Sequence, residues 1–149
     1  PFDNDGVITW ELMVERLNSD LANTLGNLVN RTISMSNKYF GGVVTSTGVT
    51  GEVDADLKAV VTATRDRIAG KMAKLRVADA ISEVFALFRR CNKYIDETQP
   101  WVLGKSPEKQ ARLAQVMYNL TESLRIVTVL ISAAMPETPS RPLWRYSRA

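Results

Sequence analysis

Apolar positions recur every three or four residues in four long stretches, the period of an amphipathic α-helix. The first stretch covers residues 10–40, with Trp10, Val14, Leu17, Leu21, Leu25 and Leu28 in register. Thr9 is placed to cap it, and Glu11 suits the positive end of its dipole. The second covers 55–75 behind Asp54 as cap, with Leu57, Val61, Thr64, Ile68, Met72 and Leu75 on one stripe. The third covers 77–97 and aligns Val77, Ile81, Val84, Phe88, Cys91 and Ile95. The fourth opens with Ser106-Pro107-Glu108 as cap, first-turn proline and first-turn acid. It runs to residue 134, aligning Leu113, Met117, Leu120, Leu124, Val127 and Ile131, and Met135-Pro136 ends it.

The segments between these stretches set the topology. Residues 41–53 are rich in Gly, Thr and Ser and form a loop with short extended pieces. A break between Leu75 and Val77 is expected, because one uncapped helix over 55–97 is too long for a globular domain. Residues 98–105, with Pro100 and Gly104, form a loop. Four amphipathic helices with one apolar stripe each predict an all-α antiparallel bundle of four or five helices over 10–135. Residues 1–9 lead into it, and the Pro- and Arg-rich residues 136–149 form an extended tail.

Composition narrows the chemistry. The chain has 149 residues, 45% apolar and 23% charged, a single domain of ordinary globular make-up. There is no His, which excludes Ser-His-Asp and Cys-His catalysis and His-ligated metal. The single Cys, Cys91, forms no internal disulfide and no zinc site, and one thiol fits a reducing, cytoplasmic compartment. The longest apolar stretch, residues 126–135, is well short of the ~20 residues of a membrane span. The acidic start, Phe2-Asp3-Asn4-Asp5, is unlike a targeting segment. Residue 1 is Pro and the first Met is Met13, so processing or excision from a longer chain is expected.

No residue pattern carries catalysis. Lys71-Met72-Ala73-Lys74-Leu75 faintly resembles the Lys-Met-Ser-Lys-Ser loop of class I aminoacyl-tRNA synthetases. It sits within a helical period, however, and reads as a helix surface. Asp54 and Asp56, and Asp96 and Glu97, are explained by capping and surface charge. Basic residues are more informative. The second stretch carries Lys58, Arg65, Arg67, Lys71, Lys74 and Arg76, and the third adds Arg89, Arg90 and Lys93, a patch suited to phosphates or to a solvated face.

The first stretch holds five Asn, at 18, 23, 27, 30 and 37, although Asn is a mediocre helix former. Asn23, Asn27 and Arg31 are spaced by four and fall beside the apolar face. Such a row offers paired donors and acceptors to the edge of an unstacked base, or bonds to a neighbouring helix. Trp101, after Pro100, either plugs the bundle end or presents a ring for base stacking. Trp10 is expected in the core and Trp144 against the bundle or free in the tail.

At these residues the sequence resembles a known family. Residues 18–31, Asn-Ser-Asp-Leu-Ala-Asn-Thr-Leu-Gly-Asn-Leu-Val-Asn-Arg, resemble the first helix of the anticodon-binding domain of bacterial methionyl-tRNA synthetase. Residues 36–42, the stretch from Asn92 to Trp101 and residues 133–138 continue the likeness, which covers roughly 2–139. The resemblance implies a class I anticodon-binding helical bundle that reads the CAU anticodon of tRNA(Met). Residue by residue it assigns Asn27 and Arg31 to base edges and backbone, Trp101 to stacking on the first anticodon base, and Pro100 to shaping its loop. Asn23, Arg89, Arg90 and Lys93 would serve the RNA backbone.

The resemblance also implies what lies elsewhere. The expected partners are the tRNA(Met) anticodon stem-loop and the enzyme's own catalytic domain, with no membrane. ATP and methionine belong to that domain, to which residues 1–9 form the link. No cofactor, no metal and no catalytic centre are expected in this chain. The tail from Arg141 to Ala149 departs from the family ending. The alternative is a structural or protein-interaction bundle without RNA selectivity.

Overall fold

The computed structural model describes residues 6–137. The expectations for the opening Phe2-Asp3-Asn4-Asp5 segment, for the tail beyond Glu137 and for Trp144 lie outside the described residues. The fold is an all-α bundle. Helix α1 spans Trp10–Arg16 and continues without a break through a π-helical segment, Leu17–Gly26, into α2, Asn27–Phe40. After a loop come α3 (Glu52–Met72), α4 (Val77–Thr98), the one-turn α5 (Pro100–Leu103), a 3-10 turn (Pro107–Lys109) and α6 (Gln110–Ile131).

The core follows the apolar stripes of three of the four stretches. Val84, Phe88, Cys91 and Ile95 of α4 and Leu113, Met117, Leu120, Leu124, Val127 and Ile131 of α6 are all buried. Leu57, Val61 and Thr64 of α3 and Leu25 and Leu28 join them. Each fully buried apolar side chain of this kind contributes roughly 1.5–3 kcal/mol. The turn between α3 and α4 forms where expected. Leu75 takes a left-handed conformation there (φ 58°), which reverses the chain and makes α3 and α4 an antiparallel pair.

The same turn corrects one reading. Lys71-Met72-Ala73-Lys74-Leu75 is not a continuous helix face: α3 ends at Met72, and Met72 and Leu75 are exposed. Trp10, Val14 and Leu17 are exposed as well, against the expectation for the first stripe. Their periodicity is helical, but α1 buries no residue. Residues 98–105 are not a plain loop either, since α5 occupies their middle.

The first stretch also departs from ideal α geometry. Within the π segment the Asn27 N–H reaches back to the Ala22 carbonyl, and Thr24 Oγ1 donates to the Ser19 carbonyl at 2.8 Å, both i to i−5. Its Asn, Ser, Asp, Thr and Gly residues are weak helix formers whose side chains compete for backbone bonds. Asn92 of α4 donates to the Thr24 carbonyl at 3.0 Å and ties this segment to the bundle.

A polar network pins the loop before α3. Gln115 Oε1 accepts from Ser46 Oγ (2.9 Å), the Thr47 N–H (3.0 Å) and the Gly48 N–H (2.8 Å). Arg112 bonds the Val49 carbonyl (3.0 Å) and grips Asp54 with two nitrogens, at 2.6 and 2.7 Å. Asp54 is not the cap residue but sits one turn inside α3, where Oδ2 accepts from the Gly51 N–H at 3.1 Å. Tyr94 also donates to Asp54, at 2.6 Å.

Cys91 is buried, and burial pushes its thiol up to about 12. The thiolate is the reactive form, so the folded chain is expected to resist iodoacetamide at pH 8. Alkylation should proceed at the rate of unfolding, read by mass spectrometry with and without urea. Rapid stoichiometric labelling of the folded chain would contradict this burial.

Candidate nucleic-acid interface

Arg31, one turn into α2, is where the first helix meets the end of α4. Its Nη2 donates to Asp96 Oδ1 at 2.8 Å, and its guanidinium lies 5.9 Å from the centroid of the Trp101 ring. That distance is within reach of a cation–π contact. Asn27 lies four residues before Arg31 in the same α-helix, so the two share a face. Asn27 is exposed and its side chain has no partner among the described residues.

The backbone aims Trp101. Helix α4 ends at Thr98, and Gln99 turns left-handed (φ 44°). Pro100 then starts α5, where its missing N–H costs nothing and its fixed φ suits the first turn. Pro100 is buried while Trp101 is 41% exposed. Gly104, which closes α5, lies against Tyr39 so closely that an added Cβ would meet Cε1 at 2.6 Å. That contact fixes α5 against the end of α2.

The structure separates the other candidates. Asn23 is exposed and lies in the π segment, one turn before Asn27. The Arg90 side chain is 13% exposed and engaged twice, with Asp56 at 2.7 Å and Glu97 at 3.0 Å. Two carboxylates already neutralise it in this fold. Arg89 is exposed, and Lys93 is exposed with only a long contact to Glu97 at 3.6 Å. The two share a face of α4.

The basic patch on α3 is also partly neutralised, by residues of α4 that local sequence does not bring near. Glu83 forms ion pairs with Lys71 (3.0 Å) and Arg67 (3.7 Å). Sequence reasoning missed Asp96 as the holder of Arg31, because the pair is 65 residues apart. A cleft of about 650 Å³ between α3 and α6, lined by Leu57, Val61, Tyr118 and Ile126 among others, shares no residue with the Asn27–Arg31–Trp101 cluster. Recognition of splayed bases needs exposed polar and aromatic side chains and no enclosed pocket. Among the described residues no group of His, Cys, Asp and Glu is placed to hold a metal ion, and no helix is long and apolar enough to cross a membrane.

Comparison with known proteins decides what kind of bundle this is. The model of a family described as the anticodon binding domain of methionyl tRNA ligase matches residues 44–143. The chain belongs to that family. A second family, tRNA synthetases class I (M), matches residues 1–33. The methionine–tRNA ligase of Clostridium tetani is 45% identical over 141 residues, which are 95% of this chain and 22% of that protein. The Bacillus subtilis enzyme is 48% identical over 142 residues, covering 95% of the chain and 21% of that protein. The chain thus spans about a fifth of the length of these relatives. Among solved structures, Mycobacterium tuberculosis methionyl-tRNA synthetase in complex with methionyl-adenylate is similar, with a TM-score of 0.86 and 36% identity. That likeness covers 91% of this chain and 27% of the solved one.

Proposed function

We propose that this chain reads the CAU anticodon of tRNA(Met) for methionyl-tRNA formation in the cytoplasm. Activation of methionine with ATP is the work of a catalytic domain on a longer polypeptide. The observation that carries this reading is the convergence of Arg31, the half-exposed Trp101 ring and unpartnered Asn27 at one end of the bundle. The indole stacks on the first anticodon base. The Asn27 amide, one donor and one acceptor side by side, matches the Watson–Crick edge of a splayed cytosine. Arg31 swaps Asp96 for a base edge or phosphate. Asp96 is well exposed and Arg31 partly so, and bridges that water reaches contribute only ~0–1 kcal/mol, so the swap costs little.

Two substitutions test the division of roles. Asn27→Ala is expected to weaken a CAU stem-loop more than one with a changed first base. Lys93→Ala is expected to weaken both equally and to lower the salt slope of binding by roughly one ion. Fluorescence anisotropy across a salt series separates the two patterns. Equal losses on both RNAs for Asn27→Ala would remove Asn27 from base recognition.

A further inference from the structure

The cleft between α3 and α6 takes no part in the anticodon reading. Helix α3 packs chiefly along α4 and leaves its flank toward α6 open, and Ser46, Thr50 and Gly51 of the preceding loop line the cleft as well. The volume, about 650 Å³, falls in the ~300–1,000 Å³ range of small-molecule sites. Leu57, Val61 and Ile126 give the cleft an apolar wall, and the partly exposed Tyr118 adds an aromatic one.

Its polar groups are unevenly used. The acceptors are taken up by the protein itself. Asp54 receives four bonds, two of them from Arg112. Gln115 Oε1 receives three, and Asn119 Oδ1 accepts from Gln115 Nε2 at 2.9 Å. Glu122 accepts from Arg125 Nε at 2.8 Å. Donors, in contrast, are left over. A carboxamide nitrogen carries two N–H groups. Gln115 Nε2 spends one on Asn119, and Asn119 Nδ2 spends one on the Tyr94 hydroxyl at 3.1 Å. Each keeps a second N–H without a partner among the described residues. Gln115 is only 6% exposed, so its spare donor is largely cut off from water, which favours a ligand that supplies an acceptor. Lys58 lines the same cleft, is exposed and has no carboxylate partner among the described residues. Asp54 and Glu122 are both paired, so Lys58 is the unbalanced charge of the lining.

We propose that this cleft binds a small monocarboxylate with an apolar body. The carboxylate takes the donors that Lys58, Gln115 and Asn119 leave free, and the body lies against Leu57, Val61 and Ile126. One ammonium balances one negative charge, which favours a carboxylate over a phosphate dianion. A free amino acid fits poorly, because its own ammonium finds no unused carboxylate in the lining. The proposal is independent of the anticodon reading, since the cleft shares no residue with the Asn27–Arg31–Trp101 cluster.

The test is a titration of the methyl-labelled 149-residue chain with phenylbutanoate at neutral pH, followed by NMR. The methyl resonances of Leu57, Val61 and Ile126 are expected to shift saturably, while those of Leu28, which does not line the cleft, stay in place. Phenylbutanol carries the same body without the charge and is expected to bind about fivefold more weakly. Lys58→Met should remove that difference, weakening the acid about fivefold and leaving the alcohol as it was. Lys58 is exposed, so this variant is expected to keep the Tm of the natural chain, and its methyl spectrum reports that it is folded. No saturable shift at millimolar phenylbutanoate overturns the proposal. Equal affinity for acid and alcohol also overturns it and makes the cleft an unselective apolar groove. A preference for the acid that survives Lys58→Met removes the carboxylate from Lys58 and overturns the assignment.

Discussion

Trp101→Ala is expected to weaken binding of a CAU anticodon stem-loop by about 1–3 kcal/mol, the worth of one base stacked on an aromatic ring. The fold should barely register the change, because the ring is partly exposed while Pro100 carries the buried contact. The two outcomes therefore separate cleanly. Loss of RNA affinity with an unchanged melting curve supports a stacking platform. Loss of helicity or Tm with no selective loss of RNA affinity makes Trp101 a structural plug. Trp101→Phe keeps a smaller ring and should recover part of the affinity. Circular dichroism melts and stem-loop titrations on the same preparations read both.

The largest effect on stability is expected at Asp54. Its Oδ1 accepts from Tyr94 (2.6 Å) and Arg112 (2.7 Å), and its Oδ2 from Arg112 (2.6 Å) and the Gly51 N–H (3.1 Å). Asp54→Ala leaves a guanidinium and a fully buried phenol without their acceptor. Removing one partner of such a pair costs about 3–5 kcal/mol, a large share of the ~5–15 kcal/mol by which a domain is stable. The pH dependence has a definite sign. Burial works to raise the Asp54 carboxyl, but the bonds from Arg112, Tyr94 and the Gly51 N–H outweigh it and hold the group below its ordinary 3.8. The folded state thus favours the carboxylate. Its contribution is present in full above the ordinary value and is lost as pH falls through the lowered one. Urea midpoints should therefore fall for the natural chain below about pH 4 and change less there for Asp54→Ala. A variant within about 1 kcal/mol of the natural chain at pH 7 would show that the network is not a stabilising one.

The helical stripes of the second, third and fourth stretches were legible because each lies in one element and is repeated. Phe88 and Ile95, or Met117 and Leu124, announce their burial by spacing alone. Spacing does not say whether anything covers a stripe, which is why Trp10 and Leu17 misled. Nor does it separate an α turn from a π turn, so the π-helical stretch over Leu17–Gly26 was not visible. The candidate site was visible as residue types, Asn, Arg and Trp, whose chemistry suits RNA. Its assembly was not visible. The Arg31–Asp96 and Arg90–Asp56 pairs join residues 65 and 34 positions apart, and only the fold supplies those distances.

Arg31, Asn27 and Trp101 are expected to select a sequence and not merely to attract charge. Phosphate attraction is blind to sequence, so the decisive comparison holds charge constant. The chain is titrated at moderate salt with two anticodon stem-loops of equal length, one bearing CAU and one with only the first base changed. Tighter binding of CAU is expected, by about tenfold or ~1.4 kcal/mol, within the usual cost of one mismatched base. Equal affinities for the two RNAs, measured on folded chain, would contradict it.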